Sequence, residues 1–251
     1  VPLIDTAELF SFFELGCAHK IQVWTVDLDQ DRDLLHKYSQ YISEEEHKRA
    51  HRYCFPHDSE RFMVRRGVLR FLLGTFLDQA PEEIEFTQTA QGKPYLKAQE
   101  LQEEVHFSVS QSGPWAVFAI ARKMQIGIDV ELVRARRWID EVVTRHFALR
   151  EQQVYQSLLA HDKIGYFYSL WTGKEACIKT LGENLTWLDH FDLSFLPAWP
   201  QDIQRYPLQT GEDHSFFVYV LPISSLVRVS LAVTIKDQKF NEKGSGLSSQ
   251  R

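Results

Sequence analysis

The heptapeptide "IGIDVEL" (residues 126–132) places the tightest limit on the fold. Ile126, Ile128, Val130 and Leu132 alternate with Gly127, Asp129 and Glu131, the period-two pattern of a strand with one apolar face. That face must meet a core, while the same strand directs two carboxylates side by side off its other face. Neighbouring carboxylates repel, and burying either one alone is costly. A divalent cation relieves both problems, and hard oxygen ligands favour Mg²⁺ or Mn²⁺. On spacing alone, a solvent-facing acidic edge paired with Arg134 or Arg136 accounts for the pattern better than a metal does.

A second stretch, "LWTGKEACIKTLG" (170–182), sets Lys174, Glu175 and Lys179 among Trp171, Ala176, Ile178 and Leu181. Glu175 and Lys179 are four apart and share a helix face. Alone, such a pair is usually a surface salt bridge worth ~0.3–0.5 kcal/mol. The apolar flanks instead predict an embedded helix. There Glu175 adds a third carboxylate to Asp129 and Glu131, and the lysine serves an anionic substrate. Mg²⁺ is usually held by a few carboxylates plus substrate phosphates, so the combination predicts a phosphate or diphosphate ligand.

Around these motifs the chain reads as strands and helices in two mixed groups. "IQVWTVDL" (21–28) is strand-like. A helical region begins near Asp31, with Ser43 as N-cap ahead of Glu44–Glu46. Residues 58–77 form the clearest helix of the first group, with Asp58 as its cap and Arg61, Arg65 and Arg66 turned away from its apolar positions. Short strands follow at "IEFTQT", "PYLKA", "VHFSVSQS", "WAVFAIA" and "IGIDVEL". Helices are predicted at 139–146, 150–160 and 162–181, then strands at "HFDLSF", "SFFVYVL" and "VRVSLAVTI". The expected organisation is an N-terminal extension (1–20), an N-terminal α+β half (21–124), a C-terminal α+β half carrying the acidic motifs (125–235) and a mobile polar tail (236–251). The fold class is α+β, two similar halves packed together.

Composition narrows the class. Hydrophobic residues make up 44% of the 251 positions, with 17 Phe and 6 Trp, a core-forming chain rather than a disordered one. A net charge of −6 argues against general binding of nucleic acid or anionic membrane. Local basic groups remain: "EEEHKRAHRY" (44–53), the arginines of the 58–77 helix, and Lys93 in the turn "QGKPYL" can hold a phosphate, although each alone is as well explained as a solvated charge. Cys17, Cys54 and Cys177 follow no paired or metal-knuckle spacing and read as free thiols of a reducing compartment. No apolar run nears the ~20 residues needed to span a bilayer. The first residues make a poor signal peptide, and the initial Val suggests trimming. The expected location is cytoplasmic.

The motifs "FSVSQSGPWAVFAI", "IGIDVEL" and "WTGKEACIKTLG", in this order, resemble those of the 4′-phosphopantetheinyl transferases of the Sfp-like, double-length class. The likeness runs from about "YISEEEHKRAHRYCFPHDSERFMVRRGVLR" to residue 235, and "GKPYL" matches the family's Gly-Lys-Pro turn. The resemblance implies a monomer of two halves related by a pseudo-twofold axis, with coenzyme A and Mg²⁺ in the cleft between them. It implies transfer of phosphopantetheine from coenzyme A to a serine of an acyl, peptidyl or polyketide carrier protein, with release of adenosine 3′,5′-bisphosphate. Under it, Asp129, Glu131 and Glu175 match the metal-binding acids and Lys179 the lysine near the diphosphate. Lys93 matches the Gly-Lys-Pro lysine that helps to bind coenzyme A, and Arg49 falls near a basic position that contacts the nucleotide phosphate.

The chain departs from the family at Ser110-Gln111-Ser112-Gly113, where Ser-His-Ser-Gly is usual. Gln111 can still donate a hydrogen bond to a phosphate but carries no charge. Retained activity with weaker or less pH-dependent coenzyme A binding is expected; the rival reading is a non-catalytic homologue that binds coenzyme A or a carrier. Mechanistically, Lys179 adds electrostatic stabilisation, and Glu175 is the best-placed base for the serine, directly or through a metal-bound water. Arg134, Arg136 and Arg137 suit an acidic carrier surface, or equally cap and solvate the next helix.

Overall fold

Two 22-residue helices, α3 (Pro56–Leu77) and α6 (Ala160–Leu181), flank two antiparallel four-stranded sheets in a computed structural model. The structure describes residues 11–15, 21–29, 32–89, 92–97, 104–210 and 214–234. The first sheet has the order β1-β2-β6-β5, from β1 (Ser11–Leu15), β2 (Ile21–Asp27), β5 (Val105–Ser112) and β6 (Trp115–Arg122). The second has the order β7-β10-β9-β8, from β7 (Ile126–Leu132), β8 (Gln204–Thr210), β9 (His214–Ser224) and β10 (Val227–Thr234). A hairpin of β3 (Phe86–Gln88) and β4 (Pro94–Leu96) stands apart. The α+β class and the two similar halves expected from sequence are what the chain adopts.

Three apolar clusters give the layer order helix, sheet, sheet, helix. On one side, Trp24, Val26, Phe118 and Ile120 of the first sheet pack on Val64, Val68 and Leu72 of α3. Between the sheets lie Val23, Val117 and Ala119 against Ile128, Val130 and Leu231. On the far side, Val218, Val220 and Ala232 meet Phe167, Leu170 and Ala176 of α6. Strand β6 is covered on both faces, so "WAVFAIA" is apolar throughout instead of alternating. In β7, Ile128 and Val130 enter the layer between sheets, and Gly127, Asp129 and Glu131 face α6.

Several local expectations need correction. Asp58 does not cap α3. The helix begins at Pro56, whose fixed φ suits the first helical position, after an extended Phe55 that makes no side-chain cap. Ser43 does cap α2 (Glu44–Ala50), in a capping box with Glu46. Helix α4 spans Ile139–His146 as predicted, and α5 spans Leu149–Ser157. "HFDLSF" is not a strand: a 3-10 turn covers Leu185–His190, followed by irregular chain with Phe191 and Leu193 fully buried. Strands β1 and β8 went unrecognised in the sequence. The expected mobile tail, 236–251, lies outside the described residues, as does Cys17; Cys54 and Cys177 are free thiols. Among the described residues, no helix is long and apolar enough to cross a membrane.

Candidate active site

The acids of β7 meet α6 because Gly127 has no side chain. A Cβ built there would lie 2.1 Å from the Ala176 carbonyl oxygen and 2.5 Å from the Thr180 amide nitrogen. Only glycine lets the helix come this close, and the approach lays Glu175 and Lys179 over Asp129 and Glu131. The other edge of β7 runs beside β5, where Ser108, Ser110 and Ser112 point the same way at alternate positions. Ser108 Oγ accepts the Ile128 N–H (3.0 Å) and Ser112 Oγ accepts the Leu132 N–H (3.1 Å). Ser110 donates to Asp129 Oδ1 and Ser112 to Glu131 Oε2, both at 2.7 Å. The serine row thus joins the two sheets and fixes both carboxylates.

Asp129 is 4% exposed, and its Oδ1 also receives Lys179 Nζ at 2.6 Å. Lys179 reaches Ser110 Oγ as well, at 3.0 Å. The other carboxylate oxygen, Oδ2, is buried with no hydrogen-bond partner. An orphaned buried carboxylate oxygen is costly unless something cationic or protic meets it. Burial raises the Asp129 carboxyl against the pull of Lys179 and Ser110. Burial, then the neighbouring Asp129 charge, raises Glu131 against Ser112. Glu175 is pushed up to about 7 by burial and by Asp129, with Lys179 opposing. Asp129 thus hinders the ionisation of Glu131 and Glu175, and Glu131 that of Glu175, which marks a place of excess negative charge.

Among the described residues, no three His, Cys, Asp or Glu side chains close into a ready-made metal cage. The donor set still suits a hard divalent cation: Asp129 Oδ2 is free to bind, and Glu131 and Glu175 supply further oxygens beside it. Mg²⁺ is typically held by one or two carboxylates plus substrate phosphates, not by an all-protein cage. The residues therefore fit that ion.

Lys174, the third charged residue of the motif, belongs to the core. It is fully buried, paired with Glu151 Oε2 at 2.9 Å, and donates to Leu188 O (2.7 Å) and Phe191 O (2.5 Å). Glu151 in turn accepts the N–H groups of Ala148 and Leu193, each at 2.8 Å. The pair holds α5, α6 and the chain after α6 together.

The remaining predicted residues lie around the acids. Gln111 donates to Gly113 O at 3.0 Å, across the two-residue β5–β6 turn in which Gly113 has φ 59°. Arg49 is exposed, with its guanidinium carbon 5.3 Å from the centroid of the Phe62 ring. Arg61 pairs with Asp29 (2.8 Å), while Arg66 and Arg70 both pair with Glu46, so part of the expected cationic region is neutralised. Arg65 stays over Phe62, half-buried, with its Nε buried and unpartnered. The Lys93 ammonium crosses to the second half and donates to the carbonyls of Lys179 and Thr180.

Three cavities adjoin these groups. The largest, about 1210 Å³, is basic and open, with Lys48, Arg49, Arg52, Arg65 and Arg66 on one wall and Gly92 and Pro94 on the other. A second, about 380 Å³, lies between Gly92–Pro94 and the end of α6 and contains Glu175 and Lys179. The third, about 400 Å³, opens beside Glu131 between Arg61, Arg134, Arg136, Trp138 and Trp171. Sequence reasoning missed Ser108, Ser112 and Gly127. The serine alternation inside "VHFSVSQS" was the available signal.

A duplicated α+β scaffold with an acid-and-lysine centre at the second half's strand–helix contact narrows the chain to one class, and comparison with known proteins identifies that class. The 4′-phosphopantetheinyl transferase superfamily model matches residues 125–234, and a model for the N-terminal part of 4′-phosphopantetheinyl transferase matches residues 29–123. The chain belongs to the 4′-phosphopantetheinyl transferases and is a transferase enzyme. It is 31% identical over 188 residues to the 4′-phosphopantetheinyl transferase HetI of a Nostoc species, covering 75% of this chain and 79% of that protein. It is 30% identical over 161 residues to Sfp of Bacillus subtilis, covering 62% and 68%. The human L-aminoadipate-semialdehyde dehydrogenase-phosphopantetheinyl transferase is 29% identical over 152 residues, with 57% and 49% covered.

Proposed function

We propose that this chain moves 4′-phosphopantetheine from coenzyme A to a serine hydroxyl of an acyl, peptidyl or polyketide carrier protein, with Mg²⁺ (or Mn²⁺) bound, and releases adenosine 3′,5′-bisphosphate. The observation that carries this reading is the meeting of Asp129, Glu131, Glu175 and Lys179 at one strand–helix contact, where Glu175 and Lys179 line the cavity of about 380 Å³ that shares Gly92, Pro94 and Val109 with the basic cavity of about 1210 Å³. The halves, 21–124 and 125–235, form the two walls of the cleft, so a single chain supplies the whole site. Arg49, with Arg65 and Lys48 beside it, holds the nucleotide's phosphates. The turn that carries Lys93 lines the path towards the diphosphate, with Ser110 in contact with Lys179 and Gln111 next to it on β5.

Asp129, Glu131 and Glu175 would hold the metal, which when bound supplies neutralisation of the diphosphate and of the charge developing on the leaving group. Lys179 places its ammonium beside the same charge. Glu175 takes the proton from the carrier serine. The serine oxygen forms a bond to the pantetheine-linked phosphorus, and the bond from that phosphorus to the bridging oxygen breaks towards the adenosine bisphosphate. Arg134 and Arg136, exposed on the rim of the cavity beside Glu131, receive an acidic carrier surface.

The test is intact-protein mass spectrometry of an apo carrier incubated with the chain, coenzyme A and Mg²⁺, with an EDTA control. A metal-dependent gain of one phosphopantetheine arm is expected. Coenzyme A binding without any gain, across several carriers, would overturn the proposal in favour of a binding protein.

A further inference from the structure

We infer that Lys93 is a positioning residue: its ammonium caps the C-terminus of α6 from the opposite half and so holds Lys179 in the site. The inference rests on the reading that Lys179 serves the substrate diphosphate, and it gives the Lys93 amine a partner other than coenzyme A.

The last turn of α6 cannot satisfy its own carbonyls. Gly182 takes the left-handed conformation (φ 75°), and the N–H groups of Gly182 and Glu183 both return to Ile178 O, at 2.9 and 3.1 Å. Lys179 O and Thr180 O therefore lie beyond the helix's own ladder, where partial negative charge collects. Lys93 Nζ donates to both, at 3.3 Å in the case of Thr180 O, and reaches Ile126 O at the start of β7 at 3.5 Å. One side chain from the β3–β4 hairpin thus ties the end of the helix to the beginning of the acidic strand. The residue whose carbonyl it holds is the one whose side chain reaches Asp129 and Ser110. Among the described residues its hydrogen-bond acceptors are all carbonyls, so the amine is bound there by dipoles and not by a salt bridge. Gly92, at φ 84° with open space where a Cβ would be, makes the turn that aims the lysine inwards.

The experiment compares the full chain with Lys93→Met and Lys93→Arg, by hydrogen exchange without coenzyme A and by steady-state transfer. Capping predicts that Lys93→Met speeds exchange of the α6 amides after residue 176 at least fivefold in the ligand-free protein. It also predicts about a tenfold fall in kcat with less than a threefold change in KM for coenzyme A, both largely restored by Lys93→Arg. The loss should shrink to under threefold when measured in a Lys179→Met background, because the two act through one position. Unchanged exchange with a raised KM would overturn the proposal and make Lys93 a coenzyme A contact. So would a kcat loss of the same size in the Lys179→Met background. If Lys179→Met alone leaves transfer intact, the reading of Lys179 fails, while the exchange result still decides the cap. Should Lys93→Met not fold, Lys93→Gln, which keeps one donor for the carbonyls, is scored by the same exchange criterion.

Discussion

The two halves share a scaffold and differ in what they place on it. Arg70 follows the first residue of α3 by the same interval as Lys174 follows the first residue of α6, and each is paired with the third residue of a preceding short helix, Glu46 or Glu151. Each cation also ties down carbonyls of the chain after its long helix: Pro81 and Ile84 for Arg70, Leu188 and Phe191 for Lys174. By the same intervals, Glu175 and Lys179 of α6 fall where α3 has Phe71 and Thr75, and Asp129 and Glu131 of β7 fall where β2 has Trp24 and Val26. In the first half, Trp24 and Val26 are core. The scaffold therefore tolerates either an apolar or an ionic strand–helix contact. Both halves keep the buried pair that ties the long helix to the chain after it.

The sharpest way to break this comparison is at the aligned helix positions. Glu175→Gln should lower transfer by about 10³-fold or more, roughly 4 kcal/mol of barrier, and leave thermal unfolding unchanged. Phe71→Leu, at the matching place in α3, should cost about 1 kcal/mol of stability and leave kcat within twofold. A fully active Glu175→Gln chain would remove both the metal and the base assignments.

Next in size is the shared pair. Lys174→Met strands Glu151 in a fully buried place, and urea unfolding should show a loss of about 3–4 kcal/mol. Arg70→Met should cost less, about 2 kcal/mol, because Arg66 continues to pair with Glu46. The carboxyls already differ in this sense. Burial raises Glu151 despite Lys174, whereas at Glu46 burial is overcome by Arg66 and Arg70, and the carboxyl lies below its usual range. Equal losses in the two variants would mean that the second arginine contributes nothing.

A glycine in each half tests whether helix approach matters for chemistry or only for packing. Gly127→Ala drives a methyl group into the α6 backbone. It should cost about 2 kcal/mol and reduce transfer at least tenfold, since Glu175 and Lys179 move with the helix. Gly67→Ala meets the Tyr38 carbonyl on α1 (Arg32–Ser39) and should lower stability by a similar amount, read from thermal unfolding, without a separate effect on kcat.

How much of this was legible follows the same division. Period two read β7 correctly at both ends, and apolar runs found β5, β6, α4 and both long helices, because these elements are fixed by which faces they bury. "HFDLSF" misled for a physical reason: it alternates like a strand, yet its backbone finds its partners in Lys174 and Glu151, not in a neighbouring strand. Strand β8 contains Pro207 and is mostly exposed at the sheet edge, so its pattern is weak. Spacing brought Glu175 and Lys179 to one face and set Asp129 beside Glu131. It could not separate the core lysine, Lys174, from Lys179, because the partner of Lys174 lies far back in the chain at Glu151. The same limit hid the partners of Lys93, which belong to the opposite half.

Lys93 gives the smallest effect and the one with opposed signs. Burial lowers its ammonium from 10.5 to about 8, with Lys179, Glu175 and Glu183 the charged groups lining the same cavity. Between pH 8 and 10.5 the unfolded chain holds this proton more firmly than the folded chain does. Its contribution therefore makes stability rise with pH over that window, and the rise should vanish in Lys93→Met. Transfer should move the other way, declining above pH 8 as the neutral amine loosens its hold on the α6 carbonyls, and this limb too should be missing in the variant. Parallel pH profiles of unfolding free energy and kcat for the two chains make the check. A joint fall would show that the charge on Lys93 serves stability and activity alike, and a joint rise that it serves neither; either would end the distinction between a scaffold held by paired charges and a site held by an unpaired one.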